Sequence, residues 1–149
     1  PNKIVAEALS NKHIPQLKDY QSWRPEVKYG INSRIDFLLE GPGLPPLYLE
    51  IKSVNYRDGA HGIFPDAVTE RGFKQLTQMI DLLDQGARAA VLYVVVREDC
   101  EGVAYAHHID PAYGQEAKRA KEAGIDFWAF DCKVTTNSIT LGKEIKVIG

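Results

Sequence analysis

Asp36, Glu50 and Lys52 are the side chains whose types and spacing could do chemistry together. Glu50 and Lys52 stand two apart in LYLEIKSV (47–54), an otherwise apolar run of strand character, and side chains two apart on a strand share a face. Asp36 lies in SRIDFLLE (33–40), and the intervening GPGLPP (41–46) can only be a turn. If the two runs pair about Gly43, residue i faces residue 86 − i, and Asp36 lies directly across from Glu50. Opposite residues in such a pair have Cβ atoms about 4.5–5.5 Å apart. Two carboxylates that close repel unless a proton or a cation comes between them. A hard cation such as Mg²⁺ or Mn²⁺ suits the place, taking carboxylate and carbonyl oxygens together with a substrate phosphate. Asp36, Glu50 and the Ile51 carbonyl would hold it. Lys52 would grip a phosphate oxygen or orient and activate the attacking water, where negative charge builds during hydrolysis. The alternative is plainer: Lys52 neutralises Glu50 or Asp36 on a solvated sheet face, where an E-x-K spacing is common.

The elements that must position these groups can be read from periodicity. NKIVAEALSNK (2–12) has helical spacing at Ile4, Val5, Ala8 and Leu9. EVKYG (26–30), SRIDFLLE and LYLEIKSVNY (47–56) form three strands on short links, an antiparallel meander with Ile35, Phe37, Leu39, Leu47, Leu49 and Ile51 facing a core. RDGAHG (57–62) reads as a polar loop. FPDAVTERGFKQLTQMIDLLDQG carries apolar spacing from Phe73 to Leu83 and ends at Gly86, so it is a helix, with Asp66 as its expected cap. Gly72 inside it implies close approach of a neighbour. AAVLYVVV (89–96) has no polar face and is a strand buried on both sides. Asp110 and Pro111 start another helix that stops at Gly124, and IDFWAFDCKV (125–134) is a last core strand, with a hairpin in SITLGKEIKV. The fold class is therefore α/β, a mixed sheet flanked by helices, in one domain spanning 1–149.

Composition narrows the partners. Net charge is −2, so any contact with a polyanion must come from a local patch. Lys28, Arg34, Arg71 and Lys74 are candidates for such a DNA-binding rim, with Arg24 and His61 as outlying members. Glu70 and Asp66, where the loop meets the helix, are candidate supporting acids; a surface ion pair is the plain reading of Glu70 and Arg71. Tyr29, Tyr48 and Tyr56 could stack on bases, although strand tyrosines ordinarily pack. His107 and His108 are adjacent and point apart if extended, and neither cysteine, Cys100 or Cys132, belongs to a CxxC pair. The longest apolar run has eight residues, Ala89–Val96, so a membrane is not an expected partner and a reducing cytoplasm is the expected compartment.

An Asp on one strand, E-x-K on the next and this order of elements resemble the PD-(D/E)xK nuclease superfamily. NSRIDFLL (32–39), YLEIKSV (48–54), FPDAVTERG (64–72), HIDP (108–111) and PNKIVAEAL at the start resemble, more closely, the sugar fermentation stimulation protein A (SfsA) family over nearly the whole chain. The resemblance implies a restriction-endonuclease-like core in a cytoplasmic, DNA-binding protein concerned with regulation of sugar (maltose) metabolism. Carried over by position, Asp36 and Glu50 are metal-binding acids, Lys52 is the motif lysine, and Glu7 is the acid that some superfamily members carry on the first helix. The implied activity is Mg²⁺- or Mn²⁺-dependent hydrolysis of DNA phosphodiesters. The alternatives are a non-catalytic DNA-binding transcriptional regulator and an interaction domain without nucleic acid. The family's small amino-terminal OB-like domain is absent from this sequence, and Pro1 reads as a fragment boundary.

Overall fold

The computed structural model describes residues 1–149 as one nine-stranded mixed sheet with helices on both faces. In chain order the elements are helix α1 (Asn2–Ser10), strands β1 (Ser22–Tyr29), β2 (Ser33–Glu40), β3 (Leu47–Val54), β4 (Tyr56–Asp58) and β5 (His61–Phe64), helix α2 (Glu70–Asp84), β6 (Arg88–Val95), β7 (Gly102–Tyr105), helix α3 (Pro111–Ala123), β8 (Asp126–Val134) and β9 (Ile139–Ile148). Across the sheet the order is β1-β2-β3-β6-β8-β9-β7-β5-β4. The first three strands form the expected antiparallel meander, and β3, β6 and β8 run parallel. β9 pairs first with β8 and then, from Lys146, with β7. That change of partner curls the sheet until Gly62 of β5 packs on Val54 of β3 and Val95 of β6.

Both faces of the sheet are buried. One core joins Phe37, Leu39, Leu47, Leu49, Ile51 and Leu92 to Val5, Ala8 and Leu9 of α1. The other joins Ile35, Leu38, Val54, Val91 and Tyr93 to Leu76 and Met79 of α2 and to Tyr113, Ala117 and Ala120 of α3. One alternative and one expectation fall as a result. The face that carries Glu50 and Lys52 is not solvated but covered by α2. Ile35 does not share a face with Phe37 and Leu39; it packs with Leu38 on the α2 side, so the alternation of β2 breaks at Asp36.

The helix ends are set by side chains. α2 is capped by Thr69, whose hydroxyl accepts from the Gly72 amide at 3.0 Å; Asp66 is exposed and caps nothing. Gly72 is required by its neighbours, since a Cβ there would lie 2.9 Å from the Thr69 hydroxyl and 3.2 Å from the Tyr113 ring. Asp110 caps α3 as expected, accepting from the Tyr113 amide at 3.1 Å. Its other oxygen accepts from the Thr69 amide at 2.9 Å, so one buried carboxylate fixes the starts of two helices. RDGAHG is a hairpin between β4 and β5, and β7 was not expected at all; both lie at the far edge of the sheet in strands of three or four residues. No helix is long and apolar enough to cross a membrane.

Asp110→Ala removes the cap of α3 and the tether of the Thr69 amide at the start of α2, leaving one buried and one part-buried amide unpaired. The expected loss is about 2–4 kcal/mol in urea unfolding, and a loss below about 0.5 kcal/mol would show that the carboxylate does not tie the helices together.

Candidate functional site

The β2–β3 ladder runs in the expected register, with Leu39, Leu38 and Phe37 opposite Leu47, Tyr48 and Leu49, and stops one residue short of Asp36 and Glu50. Beyond that point the strands part. The Asp36 carboxylate fills the gap, Oδ2 accepting from the Ile51 amide at 2.7 Å. Its other oxygen accepts from the Asn2 side-chain amide at 2.9 Å, so α1 reaches the site from one side of the sheet. From the other side comes Gln75 of α2, buried, whose Oε1 accepts from the Lys52 ammonium at 2.7 Å. The tear in the ladder lets groups from both helical layers meet around one carboxylate pair.

Glu50 is the least comfortable member. Its residue is 5% exposed, and Oε2 lies 3.1 Å from the Lys52 ammonium while Oε1 is buried without any hydrogen-bond partner. Burial pushes the Glu50 carboxyl up to about 7 against the pull of Lys52, and the neighbouring Asp36 adds to the rise. A glutamate held there exchanges its proton near neutral pH. Around it, Tyr29 donates to the Gln75 carbonyl at 3.3 Å, and its hydroxyl is raised well above the usual range by burial and by the charge of Glu50. Tyr113, fully buried, lies within electrostatic range of Glu50 and bonds Tyr93 at 2.8 Å, closing the floor of the site with hydroxyls and rings.

The remaining candidates divide. Arg71 lies close enough to Tyr29 to oppose the rise of its hydroxyl. Lys74 follows one helical turn later, exposed on the same flank of α2. Lys28 and Arg34 are cross-strand partners behind the β1–β2 turn, which Gln78 of α2 holds through Ser33 and the Ile31 carbonyl. Two of these cations thus stand on α2 beside Tyr29, and two on β1 and β2 beside the turn that Gln78 holds. Glu7 lies apart from them. It sits at the other end of α1 from Asn2, in depressions lined by Lys3, Val134 and Ser138 and by His13 and Lys133. Glu70 opens toward Val68, Phe73, Asp110 and Ala112, on the flank of α2 away from Gln75. No group of three His, Cys, Asp or Glu side chains forms, so the acid set is Asp36 and Glu50 alone. Tyr29 and Tyr48 pack with ring centroids 6.0 Å apart rather than standing free, and Tyr56 alone of the three is exposed.

Gln75 and Asn2 were missed from the sequence. Gln75 had a signal, being a polar residue on the stripe of Gly72, Leu76 and Met79 that α2 buries. Asn2 had none; only the fold brings it to Asp36, 34 residues away.

Residues 1–138 match the family model described as the sugar fermentation stimulation protein RE domain. The chain belongs to the sugar fermentation stimulation protein (SfsA) family. Homologues of the sugar fermentation stimulation protein from Bartonella henselae and Geobacter sulfurreducens are 40% and 42% identical over 148 residues, in each case 99% of this chain and 63% of the relative. The homologue from Paramagnetospirillum magneticum is 44% identical over 145 residues, covering 97% of this chain and 61% of its own. The chain thus spans a little over three fifths of these SfsA relatives. The solved structure of Pyrococcus furiosus SfsA in complex with Ca²⁺ superposes with a TM-score of 0.88 at 24% identity, over 96% of this chain and 62% of that one, and shows that the mixed α/β fold is shared.

Because the folded-state value of Glu50 is raised, its contribution to stability is fully present below about 4.5 and is lost as pH rises through about 7. Glu50→Gln keeps the shape without the charge. It is expected to unfold at higher urea than the wild type at pH 8, by about 1–3 kcal/mol, with the gap narrowing at pH 5. Equal midpoints at both pH values would mean that Glu50 is not strained.

Proposed function

We propose that this chain is a DNA-binding, metal-dependent phosphodiester hydrolase domain with a core of the restriction-endonuclease-like PD-(D/E)xK type. The observation that carries the reading is the buried, unpartnered Oε1 of Glu50 beside Asp36. A second carboxylate raises the cost of ionising Glu50, and a divalent cation between the two would remove it. The donor set fits such an ion: two carboxylates, with the Ile51 carbonyl as a further oxygen, leave the remaining positions to water and phosphate, as Mg²⁺ or Mn²⁺ prefers. The archaeal SfsA was solved in complex with Ca²⁺, likewise a cation that takes oxygen donors.

Once bound, the ion would polarise the phosphodiester and ease deprotonation of water. The chain's own residues do the rest. Gln75 fixes the Lys52 ammonium at 2.7 Å, leaving it donors for a phosphate oxygen or for the attacking water. The Ile51 amide holds the Asp36 side chain oriented. Arg71, Lys74, Lys28 and Arg34 would take backbone phosphates, which position a duplex without reading its sequence. With a net charge of −2 the rim is local, so binding should be weak, tolerant of sequence and eroded by salt. The relatives' name links the family to sugar fermentation, and regulation of sugar (maltose) genes is the setting proposed for the DNA contact.

Purified protein with Mg²⁺ or Mn²⁺ is expected to cut labelled DNA. Asp36→Ala should abolish cleavage while DNA binding stays or tightens, because a charge that repels phosphate is gone. Lys52→Ala should lose about 10²-fold or more in rate yet still bind Mn²⁺. No cleavage of single-stranded, duplex or branched DNA with either metal would leave the non-catalytic regulator as the better reading. Cleavage undiminished in Asp36→Ala would expose a contaminant.

A further inference from the structure

The turn between β1 and β2 carries the most exposed of the large hydrophobic side chains, Ile31, at 74%. A lone surface isoleucine needs no explanation, but the setting of this one does. Gly30 and Asn32 on either side have φ of +56° and +58°, a left-handed backbone that these two residue types tolerate best. The turn is gripped by one side chain. Gln78 donates to the Ile31 carbonyl at 3.1 Å, accepts from the Ser33 hydroxyl, and sits where a Gly30 Cβ would need to be, its Oε1 2.6 Å away.

One turn earlier on α2, Gln75 holds Lys52 and receives the Tyr29 hydroxyl. A single stretch of helix therefore fixes Ile31 relative to the acid pair. Behind the tip stand the exposed cross-strand partners Lys28 and Arg34, lining one depression with Tyr29, Asn32 and Ser33.

We propose that Ile31 is a wedge that enters between two stacked base pairs of duplex DNA, with Lys28 and Arg34 taking the phosphates beside it. The proposal rests on the DNA-hydrolase reading and names its substrate class: duplex that yields at one base step near the cut. An apolar side chain on a rigid tip can replace lost stacking, and the kink it makes wraps the strand toward the protein. Pyrimidine–purine steps, TA and CA/TG, unstack most readily and should be favoured. The two cations make a polyanion, rather than an apolar protein surface, the fitting partner for this tip.

The test uses Asp36→Ala protein, so that the DNA stays intact, and duplexes carrying 2-aminopurine at a TA step. Binding should raise the fluorescence several-fold by unstacking the probe. Ile31→Ser should abolish the rise and weaken binding to the intact duplex about ten-fold, but only two- to three-fold for a duplex with an unpaired base at that step. Ile31→Leu should restore both signals. Ile31→Ser behaving like its parent in fluorescence and in affinity, while both bind DNA, overturns the wedge and leaves the hydrolase reading standing. No binding of any duplex by protein with either residue overturns the DNA reading, and the wedge with it.

Discussion

The hydrogen bond from the Ile51 amide to the Asp36 carboxylate is the constraint around which the site is built. In an unbroken antiparallel ladder an amide at this position would meet a backbone carbonyl across the hairpin. Here the strands separate after Phe37 and Leu49, and a side chain takes the carbonyl's place. The substitution has three consequences. The Ile51 amide remains satisfied inside the protein. Asp36 is locked beside Glu50 instead of swinging into solvent. The face assignment of β2 slips, so Ile35 joins the core under α2 while Phe37 stays with α1. Both helical layers then reach the same point through the sheet, Asn2 from one side and Gln75 from the other.

What this arrangement concentrates is unbalanced charge. Lys52 offsets one carboxylate, but two lie together, and Glu50 keeps an oxygen with no donor in a place that water reaches poorly. Folding tolerates the strain because the surroundings are over-determined. β6 is buried from Ala89 to Val95, α2 and α3 are tied at their starts by Asp110, and three tyrosine hydroxyls join beneath the site. A frame of that stiffness can hold a carboxylate near 7 where a looser one would turn it to solvent. Strain stored this way favours whatever neutralises it, a proton or a cation, and a cation bound there competes with the proton.

Much of this was legible in the sequence because strand periodicity and turn chemistry act locally. The Gly43 turn and the alternation of β3 sufficed for the register that brings Asp36 and Glu50 together, and Asp110–Pro111 marked the start of α3. The illegible parts depend on distant segments. Thr69 outcompetes Asp66 as the α2 cap because its own amide is held by Asp110, 41 residues on. Whether the Glu50 face is solvated depends on where α2 packs, which E-x-K does not encode. The short strands β5 and β7 pair with segments distant in sequence, β5 with β7 and β7 with β9. Glu7, an acid carried over by position onto α1, faces β8 and β9 there.

The central claim is that a buried carboxylate pair is held for a divalent cation. Titration of the Glu50 side-chain carbon by NMR, in protein labelled at glutamate and assigned through Glu50→Gln, tests it most directly. Without metal the carboxyl is expected to titrate at about 7. Saturating Mg²⁺ should return it to the ordinary carboxylate range, since the ion takes over the place of the proton. A Glu50 signal that titrates in the ordinary range from the start, or one near 7 that Mg²⁺ leaves unmoved, would contradict the claim.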